Sequence, residues 1–191
     1  MPVAKPLDLP FDPIERAAEI WADRFGPADA MAAVTSIMRA QQILLGGLDG
    51  LLRQYGLTFA RYEALVLLAF SRRGALPLRV IGDRLMVHPT SVTNTVDRLE
   101  RDGLVRRRPN PRDGRGILAE ITPSGREVMT RATADLMAAR FGMAGYDPPE
   151  LGEIFTLLRG LRVSAGDFTP EPGAAAVSAP GTPPSNGRRR R

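Results

Sequence analysis

HPTSVTNTVDRLERDGLVRRRPNPRDGRGILAEITPSGR, residues 88–126, is the stretch whose reading decides the fold. Its first third places apolar residues at helical spacing. Projected at about 100° per residue, Val92, Val96 and Leu99 fall on one side. Thr90, Asn94, Asp97, Arg98 and Arg101 fall on the other, flanked by Ser91 and Thr93. This predicts a helix over 90–102 with its apolar edge turned inward. The outer face begins with hydroxyls and an amide and ends in arginines. Gly103 can adopt the left-handed conformation that closes such a helix. Segments 104–108 and 117–121 then read as strands, with the turn-rich PNPRDGRG between them as a hairpin tip. Arg106, Arg107, Arg108, Arg112 and Arg115 all lie on this hairpin, and along the local sequence only Asp113 opposes them.

Working back from His88, PLRVIGDRL at 77–85 reads as a short helix with Leu78, Ile81 and Leu85 inward. Before it, Thr58 caps FARYEALVLLAFSR, a helix apolar nearly all round and so expected at the centre of the domain. Short helix, tight turn and second helix make a helix-turn-helix. Working forward, Thr122-Pro123 opens a helix to about Gly142. Asp147-Pro148-Pro149-Glu150 then caps another, with Leu151, Ile154, Phe155, Leu158 and Leu161 on one face. The longest helix is expected from Asp29 or Ala30 to about Tyr55. Val34, Ile37, Met38, Leu44, Leu45, Leu48, Leu51 and Leu52 form a seam interrupted by Gln41, and Gly46-Gly47 allow another helix to come close. A first helix starts at Asp12-Pro13, carries Trp21 and Phe25, and stops at Gly26-Pro27.

The chemistry of 88–126 suits a nucleic acid. Hydroxyls and amides at a helix start bind phosphates, helped by the helix dipole. Asn and Arg can read adenine and guanine edges in the major groove. A narrow minor groove attracts an inserted arginine. The chain has 191 residues and a net charge of +5, and Lys5 is the sole lysine among 26 basic residues. Arginine favours phosphate through bidentate contacts, although a GC-rich genome imposes the same bias. There is no cysteine, so disulfides, thiolate metal sites and thiol redox sensing are excluded. No catalytic or metal-binding set of residues emerges, and no cofactor is expected. No segment resembles a signal peptide or a membrane span, which points to the cytoplasm.

Residues 88–126 closely resemble the MarR family of bacterial regulators, through TSVTNTVDRLERDGLVRR, the D-x-R pair Asp113 and Arg115, and the junction LAEITPSGR. The likeness extends over about 29–163. It implies a mainly α protein with a small two- or three-stranded antiparallel wing, a winged helix-turn-helix with N- and C-terminal dimerisation helices. The implied division is 1–28 as an N-terminal extension, 29–56 with 123–165 as dimerisation helices, 57–122 as the DNA-binding domain, and 166–191 as a disordered tail ending in Arg188–Arg191.

By motif position, Thr90, Ser91, Thr93 and Asn94 lie at the major-groove surface and Arg115 enters the minor groove. Arg98, Arg106, Arg112 and Asp113 complete the expected DNA-binding set. Gly114 departs from the charged or bulky residue usual there. Val34, Leu48, Leu52, Ile154 and Leu158 are expected at a homodimer interface. Trp21, Phe25 and Met38 are candidates for an effector pocket, although the two aromatics read first as dimer packing and only second as ligand contacts. The resemblance implies a repressor of an inverted-repeat operator in double-stranded DNA, relieved by a small aromatic ligand. The alternative is a winged-helix module for protein–protein contact without operator binding. His88 reads as a turn cap or phosphate contact, with pH sensing the other option.

Overall fold

The computed structural model describes residues 8–111 and 113–169, without the side chain of Arg115. Arg112, the N-terminal residues 1–7 and the tail from 170 onward, Arg188–Arg191 included, lie outside the described residues. The chain divides at Met143/Ala144 into two compact units.

The first unit runs α1 (Pro13–Phe25), α2 (Asp29–Leu52), α3 (Phe59–Phe70), β1 (Ala75–Pro77), α4 (Leu78–Leu85), α5 (Pro89–Arg101), β2 (Val105–Asn110), β3 (Asp113–Ile121) and α6 (Pro123–Ala138). This is a mainly helical winged helix-turn-helix with a small antiparallel sheet, in the order β1-β3-β2. Each predicted cap forms. Asp12 accepts from the Ile14 amide, Thr58 from Arg61, and Thr122 from Gly125. Two expected helices are shorter than read. α2 stops at Leu52 and tightens into a 3-10 turn over Arg53–Tyr55, while α6 ends at Ala138 before a second such turn over Arg140–Gly142.

The core sits where α3 meets everything else. Leu65 and Leu68 are fully buried with Leu52 of α2, Val96 and Leu99 of α5, and Leu136 of α6. Burying each such side chain contributes about 1.5–3 kcal/mol. This packing corrects one expectation. Leu48 and Leu52 are not available to a dimer interface, because the C-terminal half of α2 lies against its own α3 and α6. The N-terminal half of α2 instead keeps Val34, Ile37 and Met38 exposed.

The hairpin tip is also tighter than PNPRDGRG suggests. Asn110 pairs with Asp113, so the ladder runs almost to the end and a register irregularity beside Pro109 takes up the extra residues of β3. Pro109 is tolerated because β2 is an edge strand. β1, three residues long, is too short to show strand alternation in the sequence.

Gly125 explains part of the motif at the β3–α6 junction. Thr122 Oγ1 donates to the Gly103 carbonyl and accepts from the Gly125 amide, drawing the first turn of α6 onto Leu104. A Cβ on Gly125 would run into the Leu104 carbonyl oxygen. Gly125→Ala should therefore destabilise the unit by about 1–3 kcal/mol, the usual range for overpacking. Thermal denaturation followed by circular dichroism would read this as a lowered Tm, and an unchanged Tm would show that the junction relaxes freely.

The second unit contains α7 (Pro148–Ser164), which starts with the expected capping box: Asp147 accepts from the Glu150 amide and Glu150 accepts from the Asp147 amide. Ile154 is half-buried, whereas Phe155, Leu158 and Leu161 are exposed. Among the described residues, no helix is long and apolar enough to cross a membrane.

Candidate nucleic-acid interface

α5 is built as its sequence pattern requires. Val92, Val96 and Leu99 are buried, while Thr90, Ser91, Thr93, Asn94, Arg98 and Arg101 are exposed. Pro89 occupies the first turn without an amide to satisfy, and His88 caps the helix by accepting the Thr90 amide on Nδ1 at 3.3 Å. No acid lies in the first turn, so the positive end of the helix dipole is not offset locally. Thr93 donates its hydroxyl proton to the Pro89 carbonyl, leaving its oxygen to accept. Asn94, Arg98 and Arg101 have no side-chain partner among the described residues.

Preceding the helix, Met86 and Val87 are exposed on the turn from α4, and Met86 adopts a left-handed conformation. They border an open cleft of about 500 Å³ between α4 and α5. An apolar side chain at this turn could contact a thymine methyl.

The hairpin carries less unpaired charge than its sequence suggests. Arg106 donates to both oxygens of Glu120, at 2.9 and 3.1 Å, and Arg108 donates to Glu120 at 2.9 Å. Arg107 turns the opposite way, onto Asp97 and Glu100 of α5. The expectation that only Asp113 opposes the arginines is therefore corrected: Asp97, Glu100 and Glu120 hold three of them. Asp97 is half-buried against the hairpin and does not belong to the open outer face. Arg112 lies outside the described residues. For Arg115 the structure gives only the backbone, in β3 two residues beyond Asp113.

Hydrogen bonds from Arg106, then Arg108, hold the Glu120 carboxyl at about 2, against an ordinary value of 4.5. A carboxylate with a depressed folded value contributes stability that is complete above its unfolded value and is lost as pH falls through the folded one. The stabilisation from this site should therefore disappear between about pH 4.5 and pH 2. Comparing acid-induced melting of the wild type with Glu120→Gln tests this. The variant should have a shallower loss of Tm across that window, and parallel curves would show that Glu120 contributes nothing.

The other candidate positions lie apart from α5. Val34 is exposed on α2. Trp21 and Phe25 meet on α1 with ring centroids 5.0 Å apart and planes tilted by 56°, and both remain exposed. Met38 lines an open cleft of about 480 Å³ between α1 and α2, with Ile14, Thr35, Arg39 and Ile43. The two aromatics are not among its lining residues.

A model of the MarR family matches residues 55–116. Sco5413, a MarR family transcriptional regulator from Streptomyces coelicolor, is 67% identical in its crystal structure, with a TM-score of 0.69 over 73% of this chain and 97% of that one. Sco3205, a MarR family regulator from the same organism solved in complex with DNA, is 29% identical, with a TM-score of 0.66 over 78% of this chain and 92% of that one. CouR from Rhodococcus jostii RHA1, solved bound to p-coumaroyl-CoA, is 26% identical, with a TM-score of 0.60 over 71% and 92%.

Proposed function

Because this chain belongs to the MarR family of transcriptional regulators, a family of DNA-binding proteins rather than enzymes, we propose that it represses transcription by occupying an inverted-repeat operator as a cytoplasmic homodimer. The observation that carries this reading is the construction of α5. A fully buried apolar edge backs an outer face of Thr90, Ser91, Asn94 and Arg98, whose donors and acceptors are open to a duplex. An arginine-bearing hairpin adjoins the same helix. In this reading α5 enters the major groove and Arg115 the adjacent minor groove. Exposed apolar residues on α2, led by Val34, and Leu158 on α7 are those a second copy would cover.

Relief by a small aromatic anion is the regulatory half of the proposal. It is supported by the acyl-CoA ligand of CouR and by the open cleft beside Met38. Such a ligand would act only through its differential affinity for the DNA-bound and free conformations.

The test is selection of duplexes from a random pool by the full chain, followed by gel shift at fixed salt. Two half-sites about 10 bp apart are expected, one helical turn. Sequence-indifferent binding, or none, would overturn the reading in favour of a protein–protein module.

A further inference from the structure

Arg107 differs from its neighbours on the hairpin in what it ties together. Arg106 and Arg108 pair with Glu120, so their ion pairs stay within the sheet. Arg107, on β2, reaches across to α5. One end of its guanidinium contacts Asp97 at 2.6 Å and the other contacts Glu100, while its own backbone amide donates to the second Glu100 oxygen at 2.8 Å. The side chain is only 23% exposed. Hydrogen bonds from the Arg107 backbone, then from its side chain, hold the Glu100 carboxyl below its usual range. The other polar anchor on this helix, Arg61 to Asp102, spans 3.6 Å and ties its C-terminal end to α3 rather than to the hairpin.

We propose that Arg107 is a positioning residue for DNA recognition, whose bridge to Asp97 and Glu100 sets the angle between α5 and the hairpin so that both meet one duplex in register. The inference rests on the operator-binding reading above. A planar guanidinium gripping two carboxylates three residues apart on a helix restrains both translation and rotation, which a single point charge does not. The apolar packing of Val96 and Leu99 holds α5 down but is less directional. In this arrangement Arg107 contributes to affinity without touching DNA, and it neutralises two carboxylates that would otherwise stand beside the phosphates.

This role and direct phosphate contact predict different outcomes for one variant, the first a lower ratio of affinities for the selected and a scrambled duplex and the second an unchanged one. Asp97→Asn combined with Glu100→Gln keeps side-chain volume, breaks the bridge and removes two negative charges. If Arg107 gripped phosphate, the variant would release it and bind DNA more tightly. If Arg107 positions α5, the ratio of affinities for the selected and a scrambled duplex should fall about tenfold, a middling coupling for a network of this kind. Affinity for the scrambled duplex should hold or rise, which also reports a folded protein. Arg107→Lys keeps the charge but cannot bridge both acids, and should lower the ratio in the same direction. Arg107→Ala should leave the slope of log affinity against log salt unchanged, since no phosphate contact is lost.

An unchanged or increased ratio in the Asp97→Asn/Glu100→Gln variant would overturn the inference, as would a reduced salt slope in Arg107→Ala. If the wild-type chain selects no sequence at all, the operator-binding reading fails and this inference fails with it. If selection succeeds while the ratio stays constant in the variants, only the positioning role is lost.

Discussion

Leu52→Asp is expected to unfold the N-terminal unit, not to split a folded dimer into folded monomers. Leu52 is 0% exposed and packs among Leu65, Leu68 and Leu136. Truncating a buried leucine to alanine already costs about 2–5 kcal/mol. A carboxylate there adds the cost of an unpaired buried charge or of its protonation. Domains of this size are stable by about 5–15 kcal/mol, so the two losses together remove most or all of the margin. Val34→Asp is the control on the same helix. Val34 is 53% exposed within its own chain, so the fold should survive with a change within about 0.5 kcal/mol, while a dimer using that face should dissociate. Far-UV circular dichroism melts and sedimentation velocity separate the two outcomes. A folded, monomeric Leu52→Asp would contradict the core assignment. A dimeric Val34→Asp would move the interface off the N-terminal half of α2.

The error over Leu48 and Leu52 has a physical origin. Helical periodicity reports which face of α2 must be covered, but not by which chain. In α5 that ambiguity does not arise, because its apolar edge is narrow and its opposite face is polar throughout. Val92, Val96 and Leu99 accordingly fall where the sequence places them. Caps were legible for a similar reason. Asp12, Thr58, Thr122 and Asp147 each act within three residues of themselves.

The hairpin charges show where local reading ends. A tip spanning all of 109–116 would set residue 108 opposite 117, whereas Arg108 pairs with Leu118. A slip of one residue moves every side chain to the other face of the sheet. Under the wrong register Glu120 lies opposite Val105. Under the observed one it faces Arg106 directly and reaches Arg108 diagonally. The acids that hold the arginines were present in the sequence all along. The signal that could have found them is strand alternation, Arg106 and Arg108 on one face and Arg107 on the other, but it becomes usable only once the turn is placed. Arg107 further needs the crossing of β2 over α5, a tertiary fact.

The same distinction between committed and free side chains ranks the positions proposed to face DNA, and puts Asn94 first. Arg106 enters any complex already donating to Glu120 through two nitrogens, so a contact to DNA must replace bonds or share them, and its removal should matter modestly. Asn94 stands on the outer face of α5, four residues beyond Thr90, with its amide unengaged within the described residues. An amide in that position can donate to and accept from one adenine edge. A bidentate contact of this kind discriminates by about 1–3 kcal/mol. In a twofold homodimer the substitution acts at both half-sites, so Asn94→Ala should lose about 2–6 kcal/mol, roughly 30-fold to 10⁴-fold in affinity for the selected duplex. The loss should be confined to one base-pair position in each half-site, relaxing the preference there, with the salt slope preserved because no phosphate contact goes. Arg98→Ala should differ if Arg98 meets a phosphate: a smaller loss, uniform across sequences, with a shallower slope. Titration of both variants against the selected duplex and its single-position substitutions distinguishes the two. Equal affinity of Asn94→Ala and wild type at matched salt would remove α5 from base reading, and a uniform loss across all sequences would make Asn94 a backbone contact instead.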